Sequence, residues 1–573
     1  MAISNTPPAI GIPFDQTYEN MLVVEYWWEQ GWNNNGVIKG GLSEPTPVWV
    51  PHLGEAGKVR LFYLIQIILP TDGHSHRLRA SASAPALRGT RLGGWLTGPG
   101  ALSTIELTPS ILLPRGGSMR AIMHAAAPFL IALAASAATI TVDDSGFGDY
   151  TTIGEALSVA ASGDTVLVLP GVYSGPENLA LDFAGRSLVL ISQFGAAQTT
   201  ISCQEGYRAF LFDDGEDTLA VVDGFRILGG HSVHEDGGAV LITNSSYPAI
   251  RNSEFMSCRA CGNGGAIAVE TGGVLTDNCE FLGCYSYGGG AIYCSNGSAV
   301  IRSCQLSSNE VCGKGCALRA VSSSVSVCTS VFYDNTGWNI GSGCVHLNQS
   351  TGLFTGCVFD RNGDGHETGY NGVVHLNASS PTFEDCEFVR NFNTHGVVEG
   401  LNSSPLFDRC VFADNYSWGS LPGFCTVAAF TGADVGTATF RNCTFQGRMY
   451  YYEGMEMFVF DDCSPLIENC VIAFSSVPGV VATTGGADPT FLHCVMYEIE
   501  GADTLCGPGS ENLLVDPLWC GIWNHDYTLC SNSPCLPGNN SWGELVGARG
   551  QGCGECDTPV ERTSWGGIKA MYR

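Results

Sequence analysis

His346, His375 and Glu399 each stand three positions after a repeated glycine, Gly343, Gly372 and Gly396. If strands follow those glycines and stack in register, two imidazoles and a carboxylate share one outward column, with Cα atoms stepping by about 4.8 Å. Such a set could bind a metal ion or move a proton. The loop Asp360-Arg-Asn-Gly-Asp-Gly-His-Glu367 falls between the first two members and offers Asp364 and His366 as an acid or further ligands. The same count places Tyr293 and Leu318 at the two preceding positions of the column, as on an ordinary solvated sheet face. Tyr293 joins the histidines and the glutamate as a surface on which a sugar ring could stack, and Trp338, Trp418 and the Tyr450-Tyr-Tyr452 run offer more aromatic rings. No cofactor is expected, a metal ion is possible, and on this column the set to weigh for it is His346, His375 and Glu399.

The elements that would position these residues are legible as an internal repeat. Segments such as Phe354-Thr-Gly-Cys-Val-Phe359, Phe383-Glu-Asp-Cys-Glu-Phe388, Phe407-Asp-Arg-Cys-Val-Phe412 and Phe440-Arg-Asn-Cys-Thr-Phe445 are one pattern. Its central position runs Phe225, Ser253, Cys279, Cys304, Cys328, Cys357, Cys386, Cys410, Cys443, Cys470, Cys494, a period of about 27 residues. A glycine column, Gly238, Gly265, Gly290, Gly315, Gly343, Gly372, Gly396, keeps the same period. Apolar and polar residues alternate over four to six positions between Gly, Asn, Asp and Ser, which is strand and turn patterning. Short strands at this period predict a parallel β-solenoid whose apolar columns form one core, with Cys inside as a small apolar residue. Asn309, Asn335, Asn362, Asn391 and Asn415 follow the strands at equal offsets and predict stacked corner residues in left-handed or bent backbone.

Composition restricts what the chain does. Of 573 residues only 14% are charged and 74 are Gly, and the formal net charge is −29. That acidity argues against a nucleic-acid or anionic-lipid partner. All 25 Cys lie at or after Cys203. Residues 1–118 differ in composition from the rest and read as a spurious or disordered extension. Residues 119–138 read as a signal peptide, with Arg120, an apolar run from Ala125 to Ala135, and Ala135-Ser-Ala137 for cleavage; a signal anchor is the alternative. The solenoid is expected over 139–505, a C-terminal coil and cap over 506–557, and a linker-like tail over 558–573. An exported chain, secreted or at a bacterial surface and without a membrane span after cleavage, favours disulfides among the cysteines outside the ladder. Cys530, Cys535, Cys553 and Cys556 as a zinc knuckle is the competing reading.

The opening Thr139-Ile-Thr-Val-Asp-Asp-Ser-Gly-Phe-Gly-Asp-Tyr-Thr-Thr-Ile-Gly-Glu-Ala-Leu157 and the element Gly163-Asp-Thr-Val-Leu-Val-Leu-Pro-Gly-Val-Tyr173 resemble the start of right-handed parallel β-helix proteins of the pectin-lyase-like superfamily. The Gly-Gly-Ala motifs at 237, 264 and 289 and the Phe-x-x-Asn motifs at 359, 388 and 412 resemble the repeats of polymorphic outer-membrane proteins. The resemblance implies an all-β, right-handed parallel β-helix with an N-terminal capping helix near Ile153 and an irregular C-terminal cap. It implies a partner that is a polysaccharide or cell-surface glycan, bound without catalysis as in adhesins, or alternatively degraded as by pectin-type lyases, hydrolases or esterases. Glu216-Asp217-Thr-Leu219 differs by one residue from an esterase motif and brings Asp217 forward as a catalytic candidate. The Asp143-Asp144, Asp213-Asp214 and Asp461-Asp462 pairs have turn-like neighbours and read as solvated corners. The arginine element of pectate lyases is missing.

Overall fold

The computed structural model describes residues 137–556, apart from segments 204–205, 338–342, 364–371, 394–395, 418–424, 433–437, 448–455, 476–479, 500–501, 503–504 and 507–509, together with five strands nearer the N-terminus. The chain divides into two units, residues 1–133 and 134–573. In the first, Met21–Glu29 and Pro47–Val48 both pair antiparallel with Lys58–Gln66, and His76–Ala80 pairs with Leu92–Leu96. The expected leader up to residue 136 and the tail from 557 lie outside the described residues.

The second unit is an all-β, right-handed parallel β-solenoid. Three parallel sheets of 14, 14 and 12 strands run its length. The first extends from Thr139–Val142 to Thr490–Leu492, the second from Gly171–Ser174 to Leu513–Leu514, and the third from Leu181–Asp182 to Val481–Thr484. One coil visits each sheet once, as in Gly297–Arg302, Gln305–Ser307 and Leu318–Val321. A short helix, Ile153–Val159, has Thr152 as its N-cap and buries Ile153, Ala156 and Leu157 in the same apolar cluster as Val142, Val166 and Leu181, so the expected N-terminal helix is present.

Alternation puts every second side chain inside, and equivalent ones stack from coil to coil. In the first sheet Phe354, Phe383, Phe407 and Phe440 stack with centroids 4.6, 4.8 and 4.9 Å apart. In the second, Phe332, Phe359, Phe388 and Phe412 do so at 4.7, 4.6 and 4.7 Å. The two stacks meet edge to face, the arrangement the ring quadrupole favours. Between the sheets runs the cysteine ladder. Its thiols point to backbone carbonyls of the preceding coil, as Cys386 to Phe354 and Cys410 to Phe383, both at 3.4 Å. Burial pushes the Cys410, Cys443 and Cys470 thiols well above the usual range, which leaves them protonated and inert.

One member of this ladder differs from expectation. Cys304 N donates to Ser330 Oγ, so Ser330 holds the central position. Cys328 is two residues earlier, half-buried, paired with Arg302 and Thr355 on the outward side of the first sheet. Register is set by the inward Val327 meeting Phe354, not by cysteine identity. The left-handed backbone of the asparagine corner also falls one residue early, on Ser308, Asp334, Arg361, Arg390 and Asp414.

At the C-terminal end Ala502, Leu505 and Cys506 pack on the core, and the chain beyond them takes a second role. After the last rung, Leu513–Leu514, a hairpin of Trp519–Gly521 and Asp526–Leu529 and the chain to Arg549 turn back along the outer face of the second sheet. Tyr527 and Ala548 pack on Val389 and Val411, and Leu529 and Val546 pack on Val471 and Val495. Ala548 N donates to Thr444 Oγ1 at 2.9 Å, and Arg549 reaches Glu387 at 2.7 Å. The cause is compositional: outward positions 411, 471 and 495 are valines, and an apolar outer face draws a cover.

Candidate functional site

The third sheet carries one outward column whose register is continuous: Asp182, Leu211, Leu241, Ala268, Tyr293, Arg319, His346, His375, Glu399, Ala429, Val459, Ala482. Five consecutive coils therefore place Tyr293, Arg319, His346, His375 and Glu399 side by side, between small or aliphatic residues on both flanks. The two histidines and the glutamate share a column as their spacing implied. The preceding member is Arg319, and Leu318 points into the core. The offset arises because Gly315 is equivalent to Gly289: both have left-handed φ, +71° and +67°, so the count from Gly315 starts one residue early. The pairs Ala291-Ile292 and Ala317-Leu318, rather than the glycines, carry the correct register and reveal Arg319.

Geometry within the band is tight. The Arg319 guanidinium lies over the Tyr293 ring, 5.6 Å from its centroid, and its Nη1 donates to Asn263 Oδ1 at 3.1 Å. The His346 and His375 rings stack at 4.9 Å with an interplanar angle of 12°. His375 Nε2 is 3.7 Å from Glu399 Oε2. His346 is only 2% exposed. Both of its ring nitrogens, His375 Nδ1, Glu399 Oε2 and Arg319 Nε are buried without a hydrogen-bond partner among the described residues.

Burial disfavours charge here, and it acts in opposite directions on the two residue types. It lowers His346 to about 2, with the neighbouring His375 ring adding to the effect, and lowers His375 to about 4, where the Lys314 ammonium contributes. It raises Glu399 to about 7, opposed by Lys314. Near neutral pH the band therefore holds two neutral imidazoles, a carboxyl poised to ionise, and the cations Lys314 and Arg319. Lys314 was not singled out from the sequence; it belongs to a short fourth ladder, paired with Gly288.

The stacked imidazoles do not converge on a point. Among the described residues, the sets of His, Cys, Asp or Glu whose ligand atoms all come within 4.8 Å are Cys520, Cys530, Cys553 and Asp182, Asp214, Glu216. The acidic set is engaged in turn hydrogen bonds, Gly185 N to Glu216 Oε1 at 2.8 Å and Ala184 N to Asp182 Oδ1 at 2.6 Å. Asp217 is exposed and accepts from Ser187 Oγ and Leu219 N, both at 3.0 Å, in the coil of Leu211, five rungs from His346. Asp364, His366, Trp338, Trp418 and Tyr450 to Tyr452 lie outside the described residues.

Among solved structures, the chain is similar to a mutant of the PL6 family alginate lyase AlyGC, at 9% identity and a TM-score of 0.41, over 67% of this chain. The chain spans 54% of that protein's length. It is also similar to a mannuronic acid specific polysaccharide family 6 lyase enzyme from human gut microbiota, at 10% identity, TM-score 0.26, covering 68% of this chain and 93% of the other. A rhamnogalacturonan lyase matches at 10% identity and TM-score 0.21, over 75% and 98% of the two chains. No curated protein matches in sequence. Residues 290–456 match the family model described as a right handed beta helix region, a stretch that contains the whole band from Tyr293 to Glu399.

Proposed function

We propose that the protein binds an acidic polysaccharide lengthwise along the third sheet, through Tyr293, Arg319, His346, His375 and Glu399 with Lys314 beside them. One observation carries this reading: five polar or aromatic side chains occupy consecutive rungs of a column that from Leu211 to Ala482 is otherwise Leu, Ala and Val, and buried polar atoms of Arg319, His346, His375 and Glu399 lack partners among the described residues. A solvating face would be spread over all coils and would be wet. Rungs repeat at about 4.8 Å, so a chain of sugar rings running parallel to the axis meets a new side chain at each step. Arg319 and Lys314 supply charge for carboxylates, and Tyr293 supplies a ring face. The wider role that follows is display or adhesion outside the cell, on a rigid solenoid.

A second reading, cleavage, is favoured by one feature, the 3.7 Å approach of His375 to Glu399. An unprotonated imidazole beside a carboxyl poised near pH 7, flanked by cations that would neutralise a uronate, suits removal of the proton next to a carboxylate and protonation of the leaving oxygen. Titration calorimetry with polyuronates and neutral glucans, run beside ultraviolet detection of unsaturated products, separates the readings. Saturable polyuronate binding, weakened at least tenfold in Arg319→Ala, supports the binding site. Unsaturated product that disappears in His375→Ala supports cleavage. A wild type that neither binds nor cleaves polyuronates sinks both.

A further inference from the structure

Outside the third sheet, a second cluster of reactive side chains lies in the C-terminal strap. Cys520 and Cys530 belong to the hairpin whose register pairs Trp519 with Leu529. Cys553 and Cys556 belong to the Cys553-Gly-Glu-Cys556 loop, which is held to the hairpin by Ser531 N donating to Gly554 O at 3.0 Å and Cys556 N donating to Asn532 Oδ1 at 3.0 Å. Two disulfides link the segments, Cys520–Cys553 and Cys530–Cys556, with Cα separations of 6.0 and 5.7 Å. These disulfides touch. Cys553 Sγ is 3.5 Å from Cys530 Sγ, and the sulfurs of Cys520, Cys530 and Cys553 all lie within 4.8 Å of one another.

Three of the four sulfurs thus cluster and the fourth, Cys556 Sγ, is bonded to one of them; two cross-links do not require this gathering, whereas one tetrahedral ion does. Zinc–thiolate bonds of about 2.3 Å set sulfur–sulfur edges of about 3.8 Å, close to the 3.5 Å between Cys553 and Cys530 Sγ. The donors come in two arms, the paired ends of a hairpin and a two-residue chelating loop, which is how structural zinc sites are assembled. Cys520, Cys553 and Cys556 are half-buried, so a reductant and an ion can reach them. The neighbouring Cys535 is sealed among Val471, Val495 and Val546, and ladder thiols such as Cys410, Cys443 and Cys470 face carbonyls of the coil beneath.

We propose that Cys520, Cys530, Cys553 and Cys556, once reduced, form a tetrathiolate site for a soft divalent cation of the zinc class, so that the strap is closed by two disulfides or by one metal ion. Cys520, not Cys535, completes the set expected from the sequence. Each disulfide takes two electrons from a phosphine, which becomes the phosphine oxide as water supplies its oxygen and the two thiol protons, and so yields two thiols. Metal binding then releases the thiol protons to solvent. The strap covers the valines of the second sheet in either state.

The test uses the full chain, reduced with a phosphine, freed of it under argon and titrated with Co²⁺ as the probe. We expect one equivalent to produce the visible bands of tetrahedral cobalt–thiolate, and one equivalent of Zn²⁺ to bleach them. Cys553→Ser and Cys530→Ser should each weaken binding at least tenfold, while Cys535→Ser binds as the wild type does. Circular dichroism checks that each protein keeps its sheet content. Alkylation read by mass spectrometry gives a second measure: Zn²⁺ should protect Cys520, Cys530, Cys553 and Cys556 together. Folded, reduced protein that shows no cobalt bands, bands that survive loss of both Cys553 and Cys556, or an absence of zinc protection at these four positions overturns the proposal.

Discussion

Two columns of buried polar side chains run along this solenoid, and they differ in one respect. At the corner after the second sheet, Asn309, Asn335, Asn362, Asn391 and Asn415 are buried and each hands its hydrogen bonds to the next. Asn335 N and Nδ2 both donate to Asn362 Oδ1, at 3.1 and 2.9 Å, and Asn362 Nδ2 donates to Phe332 O at 2.8 Å. On the outer face of the third sheet, His346 is as buried, and His375 and Glu399 are 14% and 25% exposed, yet they leave nitrogens and an oxygen unpaired among the described residues. A satisfied buried network costs little and fixes register. An unsatisfied one costs stability and persists where a ligand supplies the missing partners. Under the proposed binding role, the contrast separates corner structure from ligand site within one repeat.

The largest effect expected from breaking this contrast is at the corner. Asn362→Ala strips an acceptor from two buried donors of Asn335 and a donor from Phe332 O, and each orphan costs about 1–3 kcal/mol. We expect a loss of roughly 3 kcal/mol or more in denaturant unfolding, and less than additive loss when Asn335→Ala is combined with it, since the two share bonds. His375→Ala, at a largely buried position, should leave the unfolding midpoint nearly unchanged, because no hydrogen bond among the described residues is lost. If both variants destabilise alike, the histidine column is structural.

A smaller effect is expected in binding. Arg319→Ala should weaken polyuronate binding about tenfold to a hundredfold, or about 1.4–2.7 kcal/mol, while binding of neutral glucans stays flat. Arg319→Lys should recover part of the loss, because the charge returns without the planar fork that lies over Tyr293. Equal loss for charged and neutral glycans would reassign Arg319 to packing on Tyr293.

What the sequence revealed divides along the same line. The asparagine, phenylalanine and cysteine columns were legible because each is one residue type repeated at one period, and identity there encodes inward volume or corner hydrogen bonding. The polar band was only half legible. Its members differ in type, so their alignment depends on register, and a one-residue offset at Gly315 exchanged buried Leu318 for Arg319. Cys328 and Ser330 exchanged places for the same reason. The C-terminal strap left no local signal, because its partners are far away in sequence, Arg549 with Glu387 and Ala548 with Thr444. Alternation predicts which residues of a strand face outward. It does not predict what comes to lie on them.

The smallest effect sharpens the comparison through pH, since the asparagine column does not titrate and the third-sheet band does. Glu399 titrates near pH 7 in the folded chain and near 4.5 when unfolded. Between those values the folded state holds a proton that the unfolded state has lost, so Glu399 subtracts stability progressively as pH rises from 4.5 to 7. The histidines act in the other direction. His375 is lowered to about 4 from 6.5, so between those values the unfolded state binds the extra proton and stability rises with pH. Glu399→Gln removes the first contribution and keeps the second. Its stability relative to the wild type should therefore be unchanged near pH 4 and should climb to a gain on the order of 1 kcal/mol at pH 8, read from urea midpoints across that range. Asn362→Ala, measured beside it, should show a deficit independent of pH. A Glu399→Gln difference that is flat from pH 4 to 8 would mean that the carboxyl titrates as in water, and the band would lose its claim to be a desolvated site.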